Sequence, residues 1–135
     1  MTHLDCVKLE EERKSPLGID TKKRAVKAAE KAIDKKAKDT VILDLRDLST
    51  IADYFVICSG ENPAHIRAIA ENIDGHFSKE KIFPLGREGL NVARWVLIDY
   101  GDIVIHIFDD ETRAYYDLEK FWIDADRIIV EEKIK

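Results

Sequence analysis

Residues 94–108 read RWVLIDYGDIVIHIF, two runs rich in β-branched and aromatic side chains set closely around a Tyr-Gly pair. Such runs favour an extended backbone, and a central glycine takes the positive φ that a tight connection between antiparallel strands needs. With Tyr100 and Gly101 as the loop and the glycine at its second position, the segment predicts a β-hairpin. An isolated hairpin is marginally stable in water. The rest of the chain must therefore supply more strands and a cover.

It carries the patterns for both. In TVILDLRD, residues 40–47, Val41, Leu43 and Leu45 alternate with Ile42, Asp44 and Arg46, the period of a strand with one more apolar face. DYFVICS, residues 53–59, reads as a second strand. Helical spacing relates Val26, Ala29, Ile33 and Ala37 in DTKKRAVKAAEKAIDKKA, where Asp20 or Thr21 can cap the start. GENPAHIRAIAENIDGHF places Asn62 as a cap, Pro63 in the first turn, and Ile66, Ile69, Ala70, Ile73 and Phe77 in one stripe. Pro84, Gly86 and Gly89 then break the pattern, leaving room for a short strand around Ile82 within a connection or lid. An acidic turn at residues 109–111, a helical stretch through Tyr115, Leu118 and Trp122, and a final RIIV edge strand complete the pattern. The expected fold is α/β, a single compact domain with a mixed β-sheet flanked by helices. Its expected span is residues 20–130, between a flexible arm at 1–19 and a tail at 131–135.

With 45% hydrophobic and 36% charged residues in 135, the composition is that of a folded globular chain rather than a disordered one. No uncharged run is long enough for a membrane span. The net charge of −5 disfavours an indiscriminate nucleic-acid binder. Cys6 and Cys58 have neither metal-site spacing nor the density of a disulfide scaffold, and MTHLDCVKLEEERK carries charges where a secretory signal carries apolar residues. Cytoplasm is the expected location.

Catalytic motifs are weak. SGEN, residues 59–62, follows a strand and opens a helix, a geometry that can offer amides to phosphate, but Gly60 stands alone and no P-loop lysine follows. An ordinary strand-to-helix turn is the weightier reading. Asp109, Asp110 and Glu111 can gather around a cation, or cap a helix and face solvent. His3, His65, His76 and His106 show no zinc-ligand spacing, and His106, within an apolar strand, reads as structural. Ser59 lacks a nucleophile elbow and Cys58 has no readable basic partner.

The small net charge hides a polarity. Residues 22–38 carry eight positive and two negative side chains, whereas residues 99–126 carry nine negative and two positive. The basic helix can meet phosphates or simply keep its outer face solvated. The acidic stretch lies among Trp95, Tyr100, Tyr115, Tyr116 and Trp122. Alternation places Trp95, Leu97 and Asp99 on one strand face and Val96, Ile98 and Tyr100 on the other. Aromatics serve cores as well as interfaces, but an acidic, aromatic docking surface suits a basic protein partner: charge steers encounter and desolvated rings supply affinity.

Several separated blocks occur in the order of one family: DYFVICSGEN at 53–62, PLGREGL at 84–90, RWVLIDYGDIVIHIF at 94–108 and RAYYDLEKFW at 113–122. The chain resembles the ribosomal silencing factor family, also called the Iojap family, over most of residues 20–125. The resemblance implies a mixed-sheet α/β domain of nucleotidyltransferase-like topology, frequently a homodimer, with no cofactor. It implies binding to the large ribosomal subunit through the basic protein uL-fourteen, and steric blocking of small-subunit joining, without sequence-specific nucleic-acid recognition. Carried onto this sequence, Trp95 becomes the apolar anchor and Asp99 a partner for basic side chains. Tyr100 and Asp102 are adjacent contacts, and Asp109, Asp110 and Glu111 extend the acidic edge. Nucleotidyl-transfer chemistry does not follow, because it needs a Gly-Ser turn coupled to a separated Asp-x-Asp. Here the order is Ser59-Gly60, while Asp124 and Asp126 fall at the expected end of a helical segment. The alternatives are a scaffold for large-subunit maturation and a metal-dependent nucleotidyltransferase-like enzyme.

Overall fold

The computed structural model of the chain describes residues 20–130. The arm expected at 1–19, with His3 and Cys6, and the tail at 131–135 lie outside the described residues. Asp20 accepts the Lys22 amide at 2.9 Å and opens helix α1 (Thr21–Asp34). The helix stops before Ala37, because Lys36 takes a positive φ that ends the helical path. Its buried stripe is Thr21, Ala25, Ala28, Ala29 and Ala32, so Val26 and Ile33 flank the contact line rather than form it. Alanines permit close helix-to-sheet approach, a packing preference that a search for large apolar residues misses.

Strands β1 (Lys38–Asp44) and β2 (Tyr54–Ser59) form an antiparallel pair. Helix α2 (Pro63–Lys79) follows, with Asn62 accepting the His65 amide at 2.8 Å, Pro63 in the first turn and the five expected apolar residues buried. The short strand expected around Ile82 lies instead at β3 (Gly86–Glu88). Ile82 is buried in the preceding turn, where its amide donates to the Phe77 carbonyl at 2.9 Å and so has no strand partner.

Strands β4 (Trp95–Asp99) and β5 (Ile103–Phe108) form the hairpin. Its loop sits one residue later than the sequence suggested. The Tyr100 amide donates to the Ile103 carbonyl, leaving Gly101 and Asp102 as the central pair, with positive φ only at Gly101. A glycine at the first central position meets the demand of a type II′ turn. The expected final helical stretch is two short helices, α3 (Asp110–Tyr116) and α4 (Leu118–Phe121), broken by a left-handed Asp117. Strand β6 (Asp126–Ile129) then pairs antiparallel with β1, so Asp126 begins a strand rather than ending a helix.

The six strands form one sheet in the order β3-β4-β5-β2-β1-β6. Only β2 and β5 run parallel. Helices α1 and α2 cover one face, where Ile42, Val56, Cys58, Val96, Ile98, Ile103, Ile105 and Ile107 join the main core. On the other face Val41, Leu43, Leu45, Ile57 and Phe108 form a second, smaller core against Leu118 and Trp122. The mixed sheet with helical cover is the expected architecture.

Candidate docking surface

The register of the hairpin builds the site. Pairing Trp95 with Phe108, Leu97 with His106 and Asp99 with Val104 lines these six side chains along the less covered sheet face. Trp95, Leu97 and Asp99 are half-buried, whereas the three β5 residues are buried. The Trp95 ring packs 5.0 Å from Phe108 and 4.6 Å from Tyr116, centroid to centroid. Its indole Nε1 donates to His106 Nδ1 at 3.1 Å. Asp99 accepts the Gly101 amide at 2.7 Å and meets no cation at ion-pair distance among the described residues. An apolar ring and a carboxylate thus share one accessible strip.

The other candidate residues are placed differently. Tyr100 turns to the helix-covered side, packs 5.2 Å from Phe77, and has its hydroxyl pushed well above the usual tyrosine range by burial, reinforced by Asp74. Asp102 ties the hairpin turn to α1: both its oxygens accept from Arg24, and Thr21 Oγ1 lies 3.4 Å away. Trp95 and Asp99 therefore face one way, and Tyr100 and Asp102 engage elements on the other side.

Asp109 is the N-cap of α3, accepting the Thr112 amide at 2.7 Å. Burial pushes its carboxyl up, but hydrogen bonds from Thr112 and Arg94 outweigh that and hold it below the usual carboxylate range. Asp110 pairs with Lys38 at 2.8 Å, and Arg94 reaches Glu111 at 3.6 Å as well as Asp109 at 3.3 Å. Nearby cations thus partner each of the three carboxylates. Among the described residues no group of His, Cys, Asp and Glu is placed to hold a metal ion.

The SGEN turn is internally engaged. The Gly60 amide donates to the Phe108 carbonyl at 2.8 Å and the Glu61 amide to His65 Nδ1 at 2.9 Å. A Cβ at Gly60 would stand 2.6 Å from Ile66 Cγ1, so glycine is needed here for close packing of strand end on helix. Ser59 accepts from Arg113 at 2.9 Å, and Arg113 also pairs with Glu119 at 2.9 Å, locking α3 and α4 onto the sheet. Cys58 is fully buried, and burial pushes its thiol up to about 12. The thiolate needed for nucleophilic chemistry is disfavoured there.

Sequence reasoning missed the bond joining Trp95 to His106 and the packing of Tyr116 on Trp95. The first was signalled by the hairpin itself. Once the turn is centred on residues 101 and 102, His106 falls diagonal to Trp95 on the same face. The second had no readable signal, because it depends on how α3 folds back.

The model of the family described as "Ribosomal silencing factor during starvation" matches residues 19–135. The ribosomal silencing factor of Bacillus subtilis is 44% identical over 98 residues, covering 73% of this chain and 83% of that protein. A crystal structure of a Chromobacterium violaceum protein superposes with a TM-score of 0.76 at 26% identity, covering 84% of this chain and 96% of that one. A Bacillus halodurans structure gives a TM-score of 0.67 at 38% identity, covering 80% and 95%. The family-model match spans every strand and helix of the described residues, and by sequence and fold together the chain belongs to the ribosomal silencing factor family.

Proposed function

We propose that this protein binds the large ribosomal subunit through the basic protein uL-fourteen and blocks small-subunit joining by occupying the joining surface. The observation that carries this reading is the strip formed by Trp95, Leu97 and Asp99, half-buried in a sheet face that the short helices leave partly open. Trp95 and Leu97 supply apolar contact, and Asp99, without a cation of its own among the described residues, offers charge to a basic surface. Asp109 and Asp110 extend the acidic side, exchanging Arg94 or Lys38 for cations of the partner. Tyr100 and Asp102 contribute by holding the hairpin turn against α2 and α1.

Silencing of this kind consumes no substrate: occupancy sets the inhibition. In the same reading the sheet keeps a nucleotidyltransferase-like topology without the catalytic residues, and the protein acts in the cytoplasm, self-associating as a homodimer when free. No helix among the described residues is long and apolar enough to cross a membrane. The test is a purified subunit-joining assay. Stoichiometric, saturable inhibition by the wild type and its loss in a folded Trp95→Ala variant are expected. Joining that proceeds equally with both proteins at every dose overturns the reading. Sedimentation of the protein, alone and on the large subunit, checks the dimer.

A further inference from the structure

We propose that His106 is the positioning residue for Trp95, accepting the indole N–H so that the ring is held in one orientation with its carbon surface outward. This rests on the reading that Trp95 docks on the large subunit. Indole Nε1 only donates, so the 3.1 Å bond to Nδ1 requires His106 to be unprotonated at that nitrogen, placing the ring proton on Nε2. Nε1 is the sole polar atom of the Trp95 side chain, and it is directed at a residue only 4% exposed. What the half-buried ring presents to solvent is therefore carbon.

The histidine is otherwise a poor choice for its slot. Its ring lies 4.5 Å from Phe55 and 6.0 Å from Phe108, stacked on the latter within 8°. Its buried Nε2 has no hydrogen-bond partner among the described residues. A phenylalanine or leucine would join this aromatic layer without a buried, unpaired N–H and its desolvation cost. The gain that sets histidine apart is the bond to Trp95. Without it, the indole N–H would need either solvent or an acceptor on the partner, and the ring would have more than one resting orientation. The geometry therefore matches Trp95 to a socket that is apolar, lacks an acceptor for the indole, and is bordered by the basic groups that Asp99 meets.

The experiment is a double-mutant cycle read as affinity for purified large ribosomal subunits, with circular dichroism confirming each fold. His106→Leu removes the acceptor, whereas His106→Asn places an amide oxygen near the position of Nδ1. We expect His106→Leu to weaken binding roughly fivefold to tenfold, the size of one lost hydrogen bond. His106→Asn should restore most of it, and in a Trp95→Phe background all three residues at position 106 should bind alike. An equal loss for Leu and Asn, or a His106→Leu effect that persists undiminished in the Trp95→Phe background, overturns the positioning role. Unchanged binding by Trp95→Ala overturns the docking reading instead, and this inference with it. Nitrogen NMR of the unmutated protein gives a readout independent of variant folding: His106 Nδ1 should resonate as an unprotonated acceptor, and a protonated Nδ1 defeats the proposal.

Discussion

The two faces of the sheet are built from different materials. Under α1 and α2 the sheet is aliphatic, and Val56, Val96, Ile105 and Ile107 are wholly withdrawn from solvent beneath an alanine stripe and an isoleucine-rich helix. The opposite face sets Phe55, Trp95 and Phe108 beside aliphatic Val41, Leu43, Leu45 and Ile57, and it is incompletely roofed, because α3 and α4 are only seven and four residues long. There Phe55, Trp95 and Trp122 stay half-buried, and Ile129 is exposed. The closed face can serve stability alone. The open one has apolar area still to bury, which is the condition for a docking surface.

Truncation on the closed face should produce the largest effect. Ile105→Ala leaves a cavity between the sheet and its helices and is expected to lower stability by about 2–5 kcal/mol in urea denaturation. The fraction that remains folded should bind large subunits as the wild type does. A binding defect out of proportion to unfolding would show that the faces are not separable.

Next comes the acid dependence of the open face. Burial pushes His106 down to about 4 from its ordinary 6.5, and the Phe55, Trp95 and Phe108 rings around it carry no charge. Between those values the unfolded chain binds a proton that the folded one refuses. Stability is thus lost as pH falls from about 6.5 towards 4, by on the order of 3 kcal/mol, and this group contributes no slope above 6.5. Carboxylates also titrate in part of this range, so the measurement is a comparison. The His106→Leu stability curve should be flatter than the wild type's over that window, and parallel curves would refute the assignment.

Trp95→Ala is expected to cost stability less than Ile105→Ala, because its ring is only half-buried, yet to weaken subunit binding by about 2 kcal/mol or more. The ratio of binding loss to stability loss is the sharpest numerical contrast between the faces. Similar ratios for Trp95 and Ile105 would mean that the aromatic strip is merely a second core.

How far the sequence could carry this distinction depends on the range of the interactions involved. Local patterns placed β2, the Asn62 cap with Pro63, and the alternation of Trp95, Leu97 and Asp99, since each rests on backbone periodicity. The hairpin turn was missed by one residue because Tyr100 and Asp102 flank the glycine with equal local claims, and the ladder decides between them. The Arg24 clasp on Asp102 and the Lys38 pair with Asp110 join residues 78 and 72 positions apart. No local pattern encodes such pairs. Composition registered the basic and acidic segments as opposites, whereas the fold brings parts of them into contact.

Asp109 offers the smallest and most discriminating test, since it is both a structural cap and a member of the acidic edge. Its Oδ1 accepts the Thr112 amide at 2.7 Å and its Oδ2 meets Arg94 at 3.3 Å. Asp109→Ala should cost about 1 kcal/mol through the lost cap, whereas Asp109→Asn keeps an acceptor and should cost a few tenths. If Asp109 also meets a basic partner, Asp109→Asn should weaken subunit binding at low salt with the fold intact, and the loss should shrink as salt screens the pair. Asp99→Asn should show the larger salt-dependent loss, because Asp99 has no cation within the described residues while Asp109 already has Arg94. The reverse order would move the electrostatic centre of docking from the hairpin strip to the start of α3, leaving Trp95 at its margin rather than its middle.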